Sequence, residues 1–220
     1  MTEQEKEFLK VVTLLEKNNC LQHVVLIGSW AEFLYQNTGI IPKGTTVLRT
    51  LDIDFLVKNI RKPKPPINIE TLALKEGYAI DNHPILGTTK IRTSSRLEVE
   101  FLINQKGAGA EPVYKTALGV TAQALRGLDL LLSETITVDY MGCEVNVPSP
   151  EVYVLHKIII NADRKKVEKR EKDRDSIISI IPYIDLEKFK LLIEQSTKKQ
   201  RKTIDAFLTS NTNPSLLIID

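Results

Sequence analysis

The stretch Leu48–Val57, reading Leu-Arg-Thr-Leu-Asp-Ile-Asp-Phe-Leu-Val, constrains this chain more than any other. Apolar residues alternate there with Thr50, Asp52 and Asp54, the two-residue period of a strand with one buried face. Alternate side chains of a strand point the same way. The pattern therefore predicts Leu51, Ile53 and Phe55 against a core, with both aspartates facing outward together. Their Cα atoms then stand roughly 6.6 Å apart. Carboxylates held that close repel one another, which raises a pKa or calls for a cation between them. A hard divalent cation such as Mg²⁺ suits ligands of this kind, above all where phosphates complete its shell. The plain alternative is an edge strand whose solvent face carries two aspartates.

A second element lies upstream. His23–Ile27 is a short, β-branched apolar run that ends at Gly28-Ser29, and Trp30–Gln36 then reads as a helix with Trp30, Phe33 and Leu34 on one side. A strand, a Gly-Ser turn and a helix start form an anion site, because glycine permits close backbone approach and the first helical N–H groups are free. Downstream, Arg96–Ile103 is another clear strand, with Glu98 and Glu100 on one face and Leu97, Val99 and Phe101 on the other.

The remaining segments supply the frame. Thr2–Asn19 reads as an amphipathic helix capped by Thr2, with Phe8, Val11, Val12 and Leu15 on its apolar face. Asn37–Thr46 is a loop, and the basic, proline-rich Asn59–Pro66 is an exposed connector. Ile69–Gly77 reads as a short helix, and Tyr78–Ile80 with Thr89–Ile91 as a hairpin around His83-Pro84. Thr121–Leu132 reads as a core helix, and Thr135–Asp139 with Cys143–Val147 as a second hairpin around Met141-Gly142.

Pro148-Ser149-Pro150 marks a boundary between a domain of residues 1–147 and a helical lobe of residues 148–220. Ser149 is an N-cap for a helix over Glu151–Asp163 that turns Val152, Leu155, His156 and Ile159 inward. Lys157 sits within the apolar run Leu155–Ile160, so its ammonium must reach water, a carboxylate or a phosphate. Arg164–Arg174 carries seven basic and three acidic residues, a locally positive surface. Asp175–Ile181 and Leu186–Gln195 read as further helix. Lys198–Lys202 is a second basic cluster, followed by a last helix near Thr203–Leu208 and an apolar tail, Leu216–Ile219.

Strand, Gly-Ser turn, helix and a strand bearing Asp-x-Asp together resemble the signature of the DNA polymerase β-like nucleotidyltransferase superfamily. The spacing from Trp30 to Leu51, closed by Arg49-Thr50-Leu51-Asp52-Ile53-Asp54, resembles that of the AbiEii-like toxins and their relatives. So does the later series His156-Lys157, Arg164 and Lys172-Asp173, with Asp175 following. The resemblance implies an α+β nucleotidyltransferase fold: a small mixed sheet flanked by helices, with a mostly helical C-terminal lobe. It implies that Asp52 and Asp54 hold two Mg²⁺ ions and that Gly28 and Ser29 hold a nucleoside triphosphate. By the same resemblance Glu100, with Glu98 in reserve, would be the third carboxylate, serving as metal ligand and base, and Lys157 and Arg164 would neutralise the phosphates. The acceptor so implied is an RNA end, with a cognate antitoxin as protein partner, or a small molecule as in the aminoglycoside-modifying enzymes. A catalytically inactive nucleotide- or RNA-binding protein is the third reading.

Composition excludes other classes. Thirty basic and 28 acidic residues in 220 leave a net charge of +2, so any polyanion partner must be met by a local patch. Two cysteines are too few for a disulfide framework and three scattered histidines form no zinc pattern, which together with the acidic, amphipathic N-terminus leads us to expect a cytoplasmic protein. No apolar run approaches the ~18 residues a membrane-spanning helix needs.

Overall fold

A computed structural model of the chain describes residues 1–43, 45, 49–105, 107 and 111–211. Leu48, Gly44, Thr46 and the tail Leu216–Ile219 lie outside these described residues. The chain opens with α1 (Glu3–Lys17), begun by a full capping box in which Thr2 and Glu5 satisfy each other's backbone N–H groups. Phe8, Val11, Val12 and Leu15 are its buried face, as the period requires. A short 3₁₀ turn at Leu21–His23 leads into β1 (Val24–Ile27), all four residues of which are buried. Next comes α2 (Ser29–Asn37) and then β2 (Asp52–Val57).

The chain continues through α3 (Ile69–Lys75), the hairpin β3 (Ala79–Asn82) and β4 (Thr89–Arg92), and β5 (Glu98–Asn104). These elements form a mixed sheet in the order β1-β2-β5-β4-β3, with β2 and β5 parallel and the other neighbours antiparallel. Two more strands, β6 (Val113–Lys115) and β7 (Thr121–Leu125), extend it, β7 running parallel to the C-terminal end of β5.

The helix expected over Thr121–Leu132 is therefore absent as such: the segment divides into β7 and a short α4 (Asp129–Ser133). The reason is local and tertiary together. Ala122 and Ala124 alternate inward while Thr121 and Gln123 stay half-exposed, and β7 pairs on both sides. Gly127, at φ +78, then occupies a left-handed conformation no α-helix can pass through. Sheet pairing wins over the helical propensity of Ala and Leu.

The hairpin β8 (Thr135–Tyr140) and β9 (Cys143–Pro148) turns at Met141-Gly142, both with positive φ, the geometry that suits the twist of a two-residue hairpin. It packs against the start of β1, where Asn146 Nδ2 donates to Leu21 O at 3.2 Å. Helices complete the chain: α5 (Pro150–Asn161), capped by Ser149, α6 (Val167–Ile180), α7 (Leu186–Gln195) and α8 (Lys198–Asn211). Most of the basic stretch Arg164–Arg174 lies in α6, and the Lys198–Lys202 cluster forms the first part of α8, so the last helix starts earlier than Thr203.

One continuous apolar core runs from Phe8 to Leu208, so the strands and the C-terminal helices share it. Its aromatic heart is Phe8 stacked on Trp30 at 4.3 Å, with Phe33 edge-on to both and Tyr140 tilted against Phe8 and edge-on to Phe33. Arg49 covers this group, 5.6 Å from the Trp30 ring and ion-paired to Glu5 at 2.7 Å. It thereby pins the loop before β2 to α1.

Candidate active site

Ile53 and Phe55 are fully buried, whereas Leu51, expected beside them, is 46% exposed because β2 begins only at Asp52. The aspartates face outward as the alternation requires, Asp52 exposed and Asp54 half-buried. Parallel pairing sets Asp52 beside Glu98 and Asp54 beside Glu100. Four carboxylates from two strands therefore share one sheet face. Ligand oxygens of Asp52, Glu98 and Glu100 lie within 4.8 Å of one another, an all-oxygen set of the kind a hard divalent cation takes. Burial, then the charges of Glu100 and Asp52, pushes the Asp54 carboxyl up to about 7. Asp52 is raised for the same reasons, burial first and Glu100 next. The negative charge is thus short of counter-charge, and the residues fit a bound cation.

What counter-charge exists comes from β4. Lys90 Nζ bonds Glu98 Oε2 at 2.9 Å and also Glu100 Oε1, and Arg92 Nε donates to Glu98 Oε1 at 3.1 Å. These bonds hold the Lys90 ammonium above its ordinary range and the Glu98 carboxyl below its own. Glu98 is clamped by two cations and Glu100 by one.

Beside this face lies the Gly28 turn. Gly28 has φ +71, and a Cβ added to it would come within 2.9 Å of Asp54 Oδ2. Glycine is required twice over: for the backbone conformation and for close approach to the aspartate. Ser29 begins α2, and its Oγ accepts from Thr50 N at 3.0 Å and bonds Thr50 Oγ1 at 2.9 Å. That pair of bonds locks the turn to the lead-in of β2, so the helix N-terminus and the carboxylates are held as one unit.

Lys157 and Arg164 are placed elsewhere. Lys157 Nζ is buried between Glu32 at 3.0 Å and Asp173 at 3.2 Å, and Arg164 Nε bonds the other oxygen of Asp173 at 2.9 Å. Glu32, 3% exposed on α2, also accepts from Tyr153 OH at 2.6 Å and Ser176 Oγ at 2.7 Å. Tyr153 OH lies 2.9 Å from Gly28 O as well, so α5 grips the turn itself. The ammonium of Lys157 meets carboxylates, one of the three fates its apolar surroundings allowed.

The face of α6 that carries Asp173 and Ser176 also carries Lys169 and Lys172, by their spacing of three and four residues. Asp52 and Asp54 feel the charge of Lys169, and Lys172 feels that of Asp52. Lys172 is half-buried with no ion pair among the described residues, and burial, then the Lys157 charge, lowers its ammonium's pKa. Glu32 and Lys90 were not singled out by the sequence, although Glu32 is a lone charge within the apolar run Trp30–Leu34. Lys172 stands in the Lys-Asp pair of the family series and Lys169 in the basic stretch Arg164–Arg174, neither with a role of its own there.

A nucleotidyltransferase family profile matches residues 6–201, most of the chain. The chain belongs to this nucleotidyltransferase family. Among solved structures, an antigenic nucleotidyltransferase-like protein from Paracoccidioides brasiliensis is similar at 16% identity and TM-score 0.57, with 95% of this chain and 89% of that one covered. ANT(2″)-Ia in complex with adenylyl-2″-tobramycin aligns at 13% identity and TM-score 0.49, covering 95% of this chain and 99% of that one. No curated protein matches. The α+β architecture that the resemblance implied is the nucleotidyltransferase fold, and no helix among the described residues is long and apolar enough to cross a membrane.

Proposed function

We propose that this nucleotidyltransferase moves a nucleoside monophosphate from a nucleoside triphosphate to the end of an RNA, in the manner of the AbiEii-like proteins it resembles. The observation that carries the transfer reaction is the set of four carboxylates from two parallel strands, with Asp54 against the Gly28 turn. Asp52, Asp54 and Glu100 would hold two Mg²⁺ ions. When bound, Mg²⁺ supplies charge for the phosphate oxygens and lowers the pKa of an acceptor hydroxyl.

The chain's own residues do the rest. N–H groups at the start of α2 bind the triphosphate where only a glycine leaves room. Glu100 takes the proton of the acceptor hydroxyl, whose oxygen forms a bond to the α-phosphorus. The bond from that phosphorus to the bridging oxygen breaks, and pyrophosphate departs with the electron pair. Lys169 and Lys172 neutralise the phosphates from α6. Lys157 and Arg164, assigned to the phosphates by resemblance, pair with Glu32 and Asp173, and in this reading they tie α2 and α6 to α5. The division at Pro148 separates the strands that carry the acids from the helices that carry these cations.

The RNA acceptor is supported by the outer face of α6. With α5 and α8 it forms a cleft of about 690 Å³, with Arg170, Arg174, Lys199 and Lys202 on the rim and Ile158 and Phe207 among its apolar lining. Cations suit a phosphate backbone and an aromatic ring suits an unstacked base. A cationic aminoglycoside would be repelled there.

Incubation with labelled nucleoside triphosphates, Mg²⁺ and total small RNA tests the reading, with label expected in discrete RNA species. Replacing Arg170, Arg174 and Lys202 with glutamine should flatten the salt dependence of RNA binding by roughly 0.7 per lost contact in log–log slope. Label in a small molecule, or an unchanged slope, moves the acceptor to the small-molecule class. A cognate antitoxin covering the same basic surface fits this reading and would compete with RNA for it.

A further inference from the structure

The register of the sheet lines up Asp54, Glu100, Lys90 and Asp81 across four strands, and Asp52, Glu98 and Arg92 in the row beside it. The two cations in these rows are held differently. Arg92 lies between two acids, Asp81 at 2.8 Å and Glu98 at 3.1 Å, so Asp81 on the outer strand β3 holds it even when Glu98 is engaged elsewhere. Lys90 reaches inward to Glu98 and Glu100, two of the three residues whose oxygens gather within 4.8 Å. Its ammonium and a divalent cation need the same carboxylate oxygens. Lysine is a compact point charge on a flexible stem, and the Lys90 side chain is 26% exposed, so it has both a path out and water to move into.

We propose that Lys90 is an internal competitor for the site's divalent cation: it occupies Glu100 in the cation-free protein and must release that carboxylate before Glu100 can act as a ligand. This rests on the reading that these carboxylates hold a metal ion. Lys90 keeps the cluster from repelling itself apart when it is empty of metal, and in return weakens metal affinity. Metal and lysine then exchange places at Glu100. A solely structural Lys90, one that merely aims Glu100, makes the opposite demand, since its removal would let the ligand wander and metal would bind less well.

The test is a titration of the full-length protein with Mn²⁺, without nucleotide, following free Mn²⁺ by electron paramagnetic resonance. K90M removes a unit charge adjacent to the ion and should bind Mn²⁺ about tenfold or more tightly than wild type. K90R keeps the charge and should stay within about threefold of wild type. In EDTA, K90M should melt below wild type, and saturating Mn²⁺ should raise its melting temperature by more. K90Q, which retains a hydrogen-bond donor without the charge, carries the same expectation should K90M fold poorly. Equal or weaker Mn²⁺ binding by both K90M and K90Q overturns the competitor role while leaving the metal site standing. Absence of Mn²⁺ binding by the wild type, with nucleotide or without, removes the metal site and the competitor together.

Discussion

Two clusters of charge lie on either side of the Gly28 turn, and they are built on opposite plans. On the sheet face, Asp52, Asp54, Glu98 and Glu100 face Lys90 and a share of Arg92, and the surplus is negative. Between α2, α5 and α6, Glu32 and Asp173 are matched by Lys157 and Arg164, with Tyr153 and Ser176 filling the remaining hydrogen bonds. Charge that is matched and buried holds a structure together. Charge that is left unmatched beside a helix N-terminus is poised for a ligand that brings the missing sign. The same residue types therefore serve chemistry in one place and architecture in the other, and only the local balance tells them apart.

Breaking the first cluster should abolish activity and spare the fold. Asp52→Asn or Asp54→Asn is expected to lower transfer by roughly 10²–10³-fold or more. In EDTA near neutral pH, each variant should melt at or above the wild-type temperature, because a charge that burial and its neighbours disfavour is gone. Transfer assays and calorimetry on the same preparations check both halves. Full activity in either variant would remove the two-metal reading.

Breaking the second cluster should do the reverse. Lys157→Met leaves Glu32 and Asp173 short of a buried partner, at a cost of roughly 3–5 kcal/mol. For a chain this size that lowers Tm by roughly 10 °C. Triphosphate binding, measured well below the new Tm, should persist. Loss of binding with Tm unchanged would return Lys157 to the phosphates.

His156, the neighbour of Lys157 on α5, sharpens the contrast. Its Nε2 is buried without a partner among the described residues, and burial, then the Lys157 charge, pushes the ring down to about 4. The unfolded chain takes up this proton below its ordinary pKa near 6.5 while the folded protein does not. Stability from the neutral ring is therefore complete above that value and lost as pH falls toward 4. Between pH 7 and 5 the loss is on the order of 2 kcal/mol, and His156→Phe should abolish that part of the slope in urea unfolding.

Much of the sheet site was legible because its signals are local. The Gly28-Ser29 turn, the Asp52/Asp54 alternation and the shared face of Glu98 and Glu100 each follow from spacings of one or two residues. That Asp54 sits beside Glu100, dozens of residues further on, and Glu100 beside Lys90 depends on which strands pair, and nothing in either strand specifies its neighbour. The second cluster was half visible. A lysine in the apolar run Leu155–Ile160 demands a partner, yet a phosphate and a carboxylate satisfy that demand equally well. Thr121–Leu125 was misread because Ala and Leu favour helix, while its strand conformation comes from β5 and β6 on either side.

The central claim is that the sheet carboxylates and the Gly28 turn form one site for a metal–nucleotide pair. Thermal unfolding with Mg²⁺ alone, a nucleoside triphosphate alone, and both at millimolar concentration tests it most directly. The account predicts a rise in melting temperature with both ligands that exceeds the sum of the separate rises, since each completes the other's shell. It also predicts that the rise disappears in Gly28→Val, whose side chain would collide with Asp54. A wild-type protein that shows no shift with both ligands present would contradict it.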